Sequence, residues 1–391
     1  MKRRILLVAA VLILILIAGF LALAPGMVER DMNVVVRGPM PEVSQHSVAL
    51  HKSLQIADLH ADTLMWKRSL LSETDQGQVD LKRLEAGNVA LQVFSSVTKT
   101  PKDQNYDANG ADTDNITLLA VAQLQPMRTW TSLLQRSLWH AEKLQRAEQK
   151  AKGRLRILRD GADVASLLED RTRGARVTGA LLSIEGLQNL EGKAENLDVL
   201  YDAGFRMAGL AHFFDNELTG SMHGLQKGGL TPLGRHVVAE MERKGMIVDI
   251  AHASHAAVAE ILEMATRPVV SSHGGVQATC KVNRNLTDDE IRGVARTGGI
   301  VGIGYWDSAV CDTSPAAIAH AIAHVRDLVG IRHVGLGSDF DGAVTTRFDT
   351  SQLAAITQAL VDRGFTNDEI RAVMGGNVMR LLAGGLVPQP N

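Results

Sequence analysis

In the stretch ADLHADTLMW, Ala57 to Trp66, an apolar run ends by presenting Asp58, His60 and Asp62 at alternate positions. Alternate residues of a β-strand share one face, so these three polar side chains are expected to point to one place. Further apolar runs end in the same way: at Glu185, His212, His252 and His273, and at Asp339 with Asp341. Imidazole and carboxylate together suit Zn²⁺ and similar ions. One such residue at a strand end is more often a helix cap or a loop hydrogen-bonding group; the recurrence on several strands points to metal. His60, Asp62, Glu185, His252 and His273 make five candidate ligands. Five is too many for one ion that keeps a position open for water, but fits two ions about 3.5–4 Å apart that share a carboxylate. Asp58 reads as a group that orients His60 from behind. His255 reads as a surface or supporting residue, Asp341 as a turn-stabilising carboxylate, and His223, in TGSMHGLQKGGLT, as either structural or bordering a substrate.

These groups must be positioned by elements, and eight short apolar runs supply them: 55–61, 88–97, 179–186, 205–213, 246–253, 267–274, 298–306 and 332–341. Most are followed by a segment of helical character. Continuous apolar strands alternating with helices mark a parallel sheet covered on both faces, and eight of them suggest a closed (β/α)₈ barrel of the TIM type. Active sites of such barrels lie at the C-terminal ends of the strands, where these polar residues sit. Residues 98–178 interrupt the rhythm between the second and third strands. Their apolar spacing, amid Gln, Arg and Lys, predicts a helical insertion over the barrel rather than a separate domain.

Lys and Arg number 41 and Asp and Glu 43, a net charge of −2 with the charges scattered, so a nucleic-acid partner is not expected and a small molecule is. At the N-terminus Lys2, Arg3 and Arg4 precede an apolar run from Ile5 to Ala24, 20 residues and long enough to cross a bilayer. Residues 1–24 read as an anchor or a signal segment. Ala22–Ala24 resembles a cleavage site, but Pro25 hinders cleavage there, which favours an uncleaved anchor. Basic residues stay cytoplasmic, so the rest of the chain is expected on the far side of the inner membrane. Residues 25–50 read as a tether and lead-in, and 51–391 as the barrel. Cys280 and Cys311 either pair, as an oxidising compartment permits, or remain buried thiols. No G-x-S-x-G elbow and no phosphate-binding P-loop occurs.

The motifs DLHADT, SIEG, GLAHF, DIAHAS, SSHGG, NRNLTDDEI and GSDFDG, in this order across roughly residues 50–385, resemble the membrane dipeptidases, peptidase family M19. The resemblance implies a zinc-dependent dipeptidase with two Zn²⁺ per subunit and a metal-bridging water, tolerant of a D-residue at the C-terminal position. It implies that His60 and Asp62 bind one ion, that Glu185 bridges, and that His252 and His273 bind the other. It further implies that His212 stabilises the developing oxyanion, that Arg284 holds the substrate carboxylate, and that Asp339 moves the proton. A disulfide near the carboxylate-binding arginine occurs in animal members, which favours pairing of Cys280 with Cys311, and a homodimer is among the family's arrangements. The N-terminal anchor departs from the animal pattern, where attachment is through a C-terminal lipid. Two rivals remain: a related binuclear amidohydrolase acting on N-acyl amino acids or lactams, and an inactive membrane-tethered binding module.

Overall fold

The computed structural model describes residues 2–36 and 38–386, so the last five residues of the domain expected over 51–391 lie outside the described residues. Among the described residues nine strands form: β1 (Ile56–Ala61), β2 (Val89–Phe94), β3 (Leu155–Ile157), β4 (Thr178–Glu185), β5 (Phe205–Gly209), β6 (Ile247–Asp249), β7 (Val270–Ser271), β8 (Ile300–Ile303) and β9 (Val334–Leu336). Every strand pairing is parallel. β2 pairs with β4 and β1 with β9, so eight strands close into a barrel and all eight expected runs contribute one each. Strand residues are buried almost throughout because helices cover the outside, and this burial is why the runs read as continuously apolar.

β3 was not foreseen. It pairs with Thr178–Ala180 of β4, while β5 occupies Leu182–Glu185 of that strand. β2 holds the opposite edge of β4, so β3 fills the part of the other edge that β5 leaves open. Three residues carry too little periodicity to announce a strand. The segment between β2 and β4 also holds the helices Asn115–Ala122, Leu133–Lys150 and Gly161–Thr172 and a 3₁₀ turn at Met127–Thr129. The long middle helix turns Ser137 and His140 inward, and both side chains reach Ser96 Oγ just beyond β2, at 3.0 and 2.8 Å.

The first helix differs from the sequence reading at its end. It runs from Lys2 to Met32, through Pro25 and into the segment read as a tether. A proline inside a helix removes one N–H and leaves the carbonyl four residues earlier without its donor. Here Lys67 Nζ donates to that carbonyl, Leu21 O, at 3.2 Å. The final turns are then fixed to the barrel: Glu29 is buried and ion-paired with Arg68, and Arg68 pairs in turn with the buried Asp341. Asp341 also accepts from Thr63 Oγ1 at 2.7 Å and from the Gln78 N–H at 2.6 Å, in keeping with a structural carboxylate. The N-terminal helix is long and apolar enough to cross a membrane, and its apolar stretch is unburied.

Arg68→Ala strands two buried carboxylates. The expected cost is about 3–5 kcal/mol of stability, as for other broken buried pairs, read as a lowered midpoint in thermal denaturation, with Arg68→Lys recovering part of it. An unchanged midpoint would show that the Glu29–Arg68–Asp341 chain carries no stability.

Candidate metal centre and substrate cavity

β1 delivers His60 one residue before its end and Asp62 one residue after it. The shared face predicted from their spacing forms: His60 Nε2 lies 3.5 Å from Asp62 Oδ2, 3.5 Å from Glu185 Oε2 and 3.8 Å from Asp339 Oδ1. Glu185, the last residue of β4, occupies the centre. Its Oε1 is 2.8 Å from His252 Nε2, 3.2 Å from His273 Nε2 and 3.7 Å from His212 Nε2. Gly186 follows with φ 86°, a turn a side chain would obstruct, since its Cβ would meet the Gln188 carboxamide at 2.1 Å. His252 and Asp339 themselves hold left-handed backbone, φ 64° and 60°. Strain of that kind persists where surrounding structure over-determines it, commonly at functional sites.

All five expected ligands and Asp339 thus converge in three overlapping groups: His60, Glu185 and His273; Glu185, His212 and His252; and His60, Asp62 and Asp339. Asp58 lies deeper. Its carboxylate accepts from the backbone N–H of His60 at 3.0 Å, from Gln92 Nε2 at 3.1 Å and from Ser338 Oγ at 3.0 Å. It therefore fixes the backbone beneath His60 and not the imidazole. Asp249, which the sequence reading passed over, does the same for the next layer by accepting from the N–H groups of Ala251 and Ser272 at 3.0 and 2.9 Å. His255 stands apart, 2.6 Å from Glu290. His223 is buried against the site, stacked on Phe213 at 4.5 Å with Nδ1 2.9 Å from Tyr106 O.

Burial disfavours charge at each of these groups, so neighbours decide the outcome. For Glu185 the burial penalty is outweighed by His212 and His60, which hold it well below the usual carboxylate range. His60, despite burial, is raised well above the ordinary imidazole value by Glu185 and Asp62. Burial carries His252 and His273 well below it, so both stay neutral, the ligand form. Asp62 is pushed up to about 6 by burial and by Glu185, and burial likewise raises Asp339, with Glu185 and Asp62 adding. Three carboxylates packed this closely call for a compensating cation.

The donor set fits one. Both ring nitrogens of His60, Asp62 Oδ1, Glu185 Oε2 and His252 Nδ1 are buried without a hydrogen-bond partner. His252 Nε2 and His273 Nε2 stand 3.0 Å apart, close to the roughly 3.3 Å expected for two nitrogens on one tetrahedral ion at 2.0–2.1 Å.

Beside the cluster, a cavity of about 120 Å³ is lined by Asp62, Glu185, His212, His252, Asp339 and Arg284. Arg284 is buried, donates from Nη2 to His273 O at 2.8 Å, and packs against Gly274, where a Cβ would approach Nη1 to 3.0 Å. No carboxylate pairs with it among the described residues. The rest of NRNLTDDEI holds its loop in place: Asn285 Nδ2 donates to Cys280 O at 2.8 Å and Ala309 O at 3.0 Å, and Thr287 with Glu290 forms a reciprocal cap on the helix Asp288–Arg296. A disulfide joins Cys280 to Cys311 across the same loop. Tyr106 also lines this cavity and accepts from Trp306 Nε1 at 3.0 Å. The sequence reading missed Tyr106; the signal was its place in the loop after β2, on the catalytic face of a barrel.

A family model, membrane dipeptidase (peptidase family M19), matches residues 44–384. The chain belongs to that family. A dipeptidase of Aspergillus oryzae, aclJ, is 31% identical over 85% of this chain and 80% of its own length, and tcpJ of Claviceps purpurea 30% over 78% and 69%. Among solved structures, a probable dipeptidase of Pseudomonas aeruginosa, PvdM, aligns with TM-score 0.73 at 19% identity, covering 88% of this chain and 98% of that one. A metallopeptidase of Rhodobacter sphaeroides, liganded with a phosphinate mimic of L-Ala-D-Ala, aligns with TM-score 0.68 at 23% identity, covering 85% and 99%. This M19 member is accordingly a metallodipeptidase.

Glu185→Gln removes the carboxylate common to two of the candidate ligand groups and is expected to weaken metal binding, read with Zn²⁺ as the probe, more than about a hundredfold by equilibrium dialysis, with circular dichroism unchanged. Asp58→Asn, acting only through its supporting hydrogen bonds, should cost about ten- to a hundredfold. Equal affinity in wild type and Glu185→Gln would remove Glu185 from the ligand set.

Proposed function

We propose that this M19 enzyme is a zinc dipeptidase, anchored in the inner membrane by its first helix with the barrel exported, and that it cleaves dipeptides including those ending in a D-residue. The observation that carries the substrate assignment is Arg284: a buried guanidinium without a carboxylate partner, opening on the cavity that also holds the ligand cluster. A fork of N–H donors there suits the terminal carboxylate of a short peptide. The phosphinate mimic of L-Ala-D-Ala in the Rhodobacter relative supports tolerance of a D-residue.

His60 and Asp62 would hold one ion and His252 and His273 a second, with Glu185 between them. Metal held there supplies Lewis acidity toward the scissile carbonyl and acidifies bound water. The chain's own residues do the rest. Arg284 fixes the carboxylate and so sets the distance from that end to the scissile bond. Lys99 O, 3.4 Å from His212 Nδ1, can only accept, so that contact keeps a proton on Nδ1; Nε2 donates to the carbonyl oxygen, as charge develops there, from the doubly protonated ring. Asp339, in the same cavity and 3.8 Å from His60, takes the proton released by the attacking water and returns it to the departing amine. Tyr106 and Trp306 line the same cavity.

The test uses the full chain in lipid nanodiscs with L-Ala-D-Ala, L-Ala-L-Ala, tri-alanine and N-acetylalanine. Turnover confined to the dipeptides, abolished by chelation and restored by about two Zn²⁺ per chain, is expected. Arg284→Ala should lower kcat/KM about a hundredfold or more, as expected when one partner of a buried charge contact is lost. Dipeptide turnover unaffected by Arg284→Ala would overturn the carboxylate clamp, whereas turnover of N-acetylalanine alone, which carries the same terminal carboxylate, would overturn the dipeptide substrate and favour an N-acyl one.

A further inference from the structure

A second cavity, about 440 Å³, adjoins the catalytic one and shares Asp62, Gln104, His212, Phe213, Gly342 and Ala343 with it. Its walls are almost wholly apolar. One side is the barrel and the helix Asn115–Ala122, through Trp66, Ile116 and Leu119; the other is the N-terminal helix, through Phe20, Ala24 and Val28. Phe20 and Ala24 belong to the 20-residue apolar run itself. A helix of that length spans about 30 Å, the thickness of a bilayer core, so the vestibule opens where the helix leaves the membrane. The Glu29–Arg68–Asp341 chain holds this wall against the mouth of the barrel.

The outer surface continues the theme. Leu118, at the rim, is 66% exposed, and Leu124 and Met127, which follow it in the chain, are 62% and 75% exposed. Large apolar side chains grouped this way beside a bilayer-length helix mark a face that meets lipid. Arg284, Tyr106 and Trp306 line the catalytic cavity but not the vestibule. A dipeptide with its carboxylate on Arg284 therefore directs its amino-terminal residue toward Asp62, His212 and the apolar side.

Resting on the dipeptidase reading, we infer that this enzyme selects dipeptides whose amino-terminal residue carries a long alkyl or acyl chain, taken up at the membrane surface with the chain lodged between the N-terminal helix and Asn115–Ala122. The cavity volume is within the range of small-molecule sites, and each methylene buried there adds to affinity. The membrane helix is then a wall of the substrate site as well as an anchor.

The experiment compares kcat/KM for L-2-aminododecanoyl-D-Ala and L-Ala-D-Ala with the full chain in nanodiscs. The long substrate is expected to exceed the short one by at least about tenfold. Leu118→Arg at the exposed rim and Ala24→Trp within the vestibule should each bring that ratio close to one, while Leu124→Arg, outside the vestibule, keeps it. A wild-type ratio near one, with L-Ala-D-Ala turned over, overturns the inference and leaves the dipeptidase reading standing. A high ratio that survives both Leu118→Arg and Ala24→Trp assigns the gain to partition into the bilayer, and also overturns it. No turnover of either substrate defeats the dipeptidase reading and this inference with it.

Discussion

The structure depends on one electrostatic constraint: Glu185 must remain ionised while buried among four imidazoles and two further carboxylates. A carboxylate at the end of a buried strand is costly unless charge is returned to it. Here the charge comes from His60, on one oxygen, and His212, while the neutral rings of His252 and His273 lie 2.8 and 3.2 Å from the other oxygen. The arrangement leaves donor atoms without hydrogen-bond partners, and that surplus of lone pairs distinguishes a metal centre from a buried polar network.

The barrel makes such crowding sustainable. The candidate ligands come from the ends of four strands or the residues just past them, His60 and Asp62 from β1, Glu185 from β4, His252 after β6 and His273 after β7, so no single segment has to fold around the site. The parallel ladder fixes the strand ends relative to one another, and a layer of carboxylates below holds the backbone: Asp58 ties β1 to Ser338 after β9, and Asp249 ties β6 to Ser272 after β7. Against that support the left-handed backbone at His252 and Asp339 can persist, and both side chains are aimed into the cavity rather than along their strands.

The same mouth is joined to the N-terminal helix by buried charge. Glu29, Arg68 and Asp341 form a chain in which the central guanidinium serves two carboxylates, one from the helix and one two residues beyond Asp339. The catalytic mouth and the N-terminal helix are mechanically linked in this protein, since movement of the helix end must be felt at the loop that carries Asp339. Lys67 adds to the link by capping the carbonyl that Pro25 leaves free.

The sequence by itself determined the kind of fold and the identity of the cluster. Eight apolar runs could be counted because strands buried on both faces must be apolar, and the polar residues stood out because each interrupted such a run at its end. Alternation placed His60 and Asp62 together, since a strand's period is fixed by covalent geometry. Only the tertiary structure decided what depends on contacts between distant segments. Three-residue β3, the reach of the N-terminal helix past Pro25, the pairing of Cys280 with Cys311, the role of Asp58 beneath the backbone and the arrival of Tyr106 over the cavity all rest on such contacts. Glu29 and Arg68 looked like ordinary charged residues because a buried ion pair leaves no periodic trace in the chain. Local spacing encodes which way a side chain points, and only the packed molecule decides what it meets there.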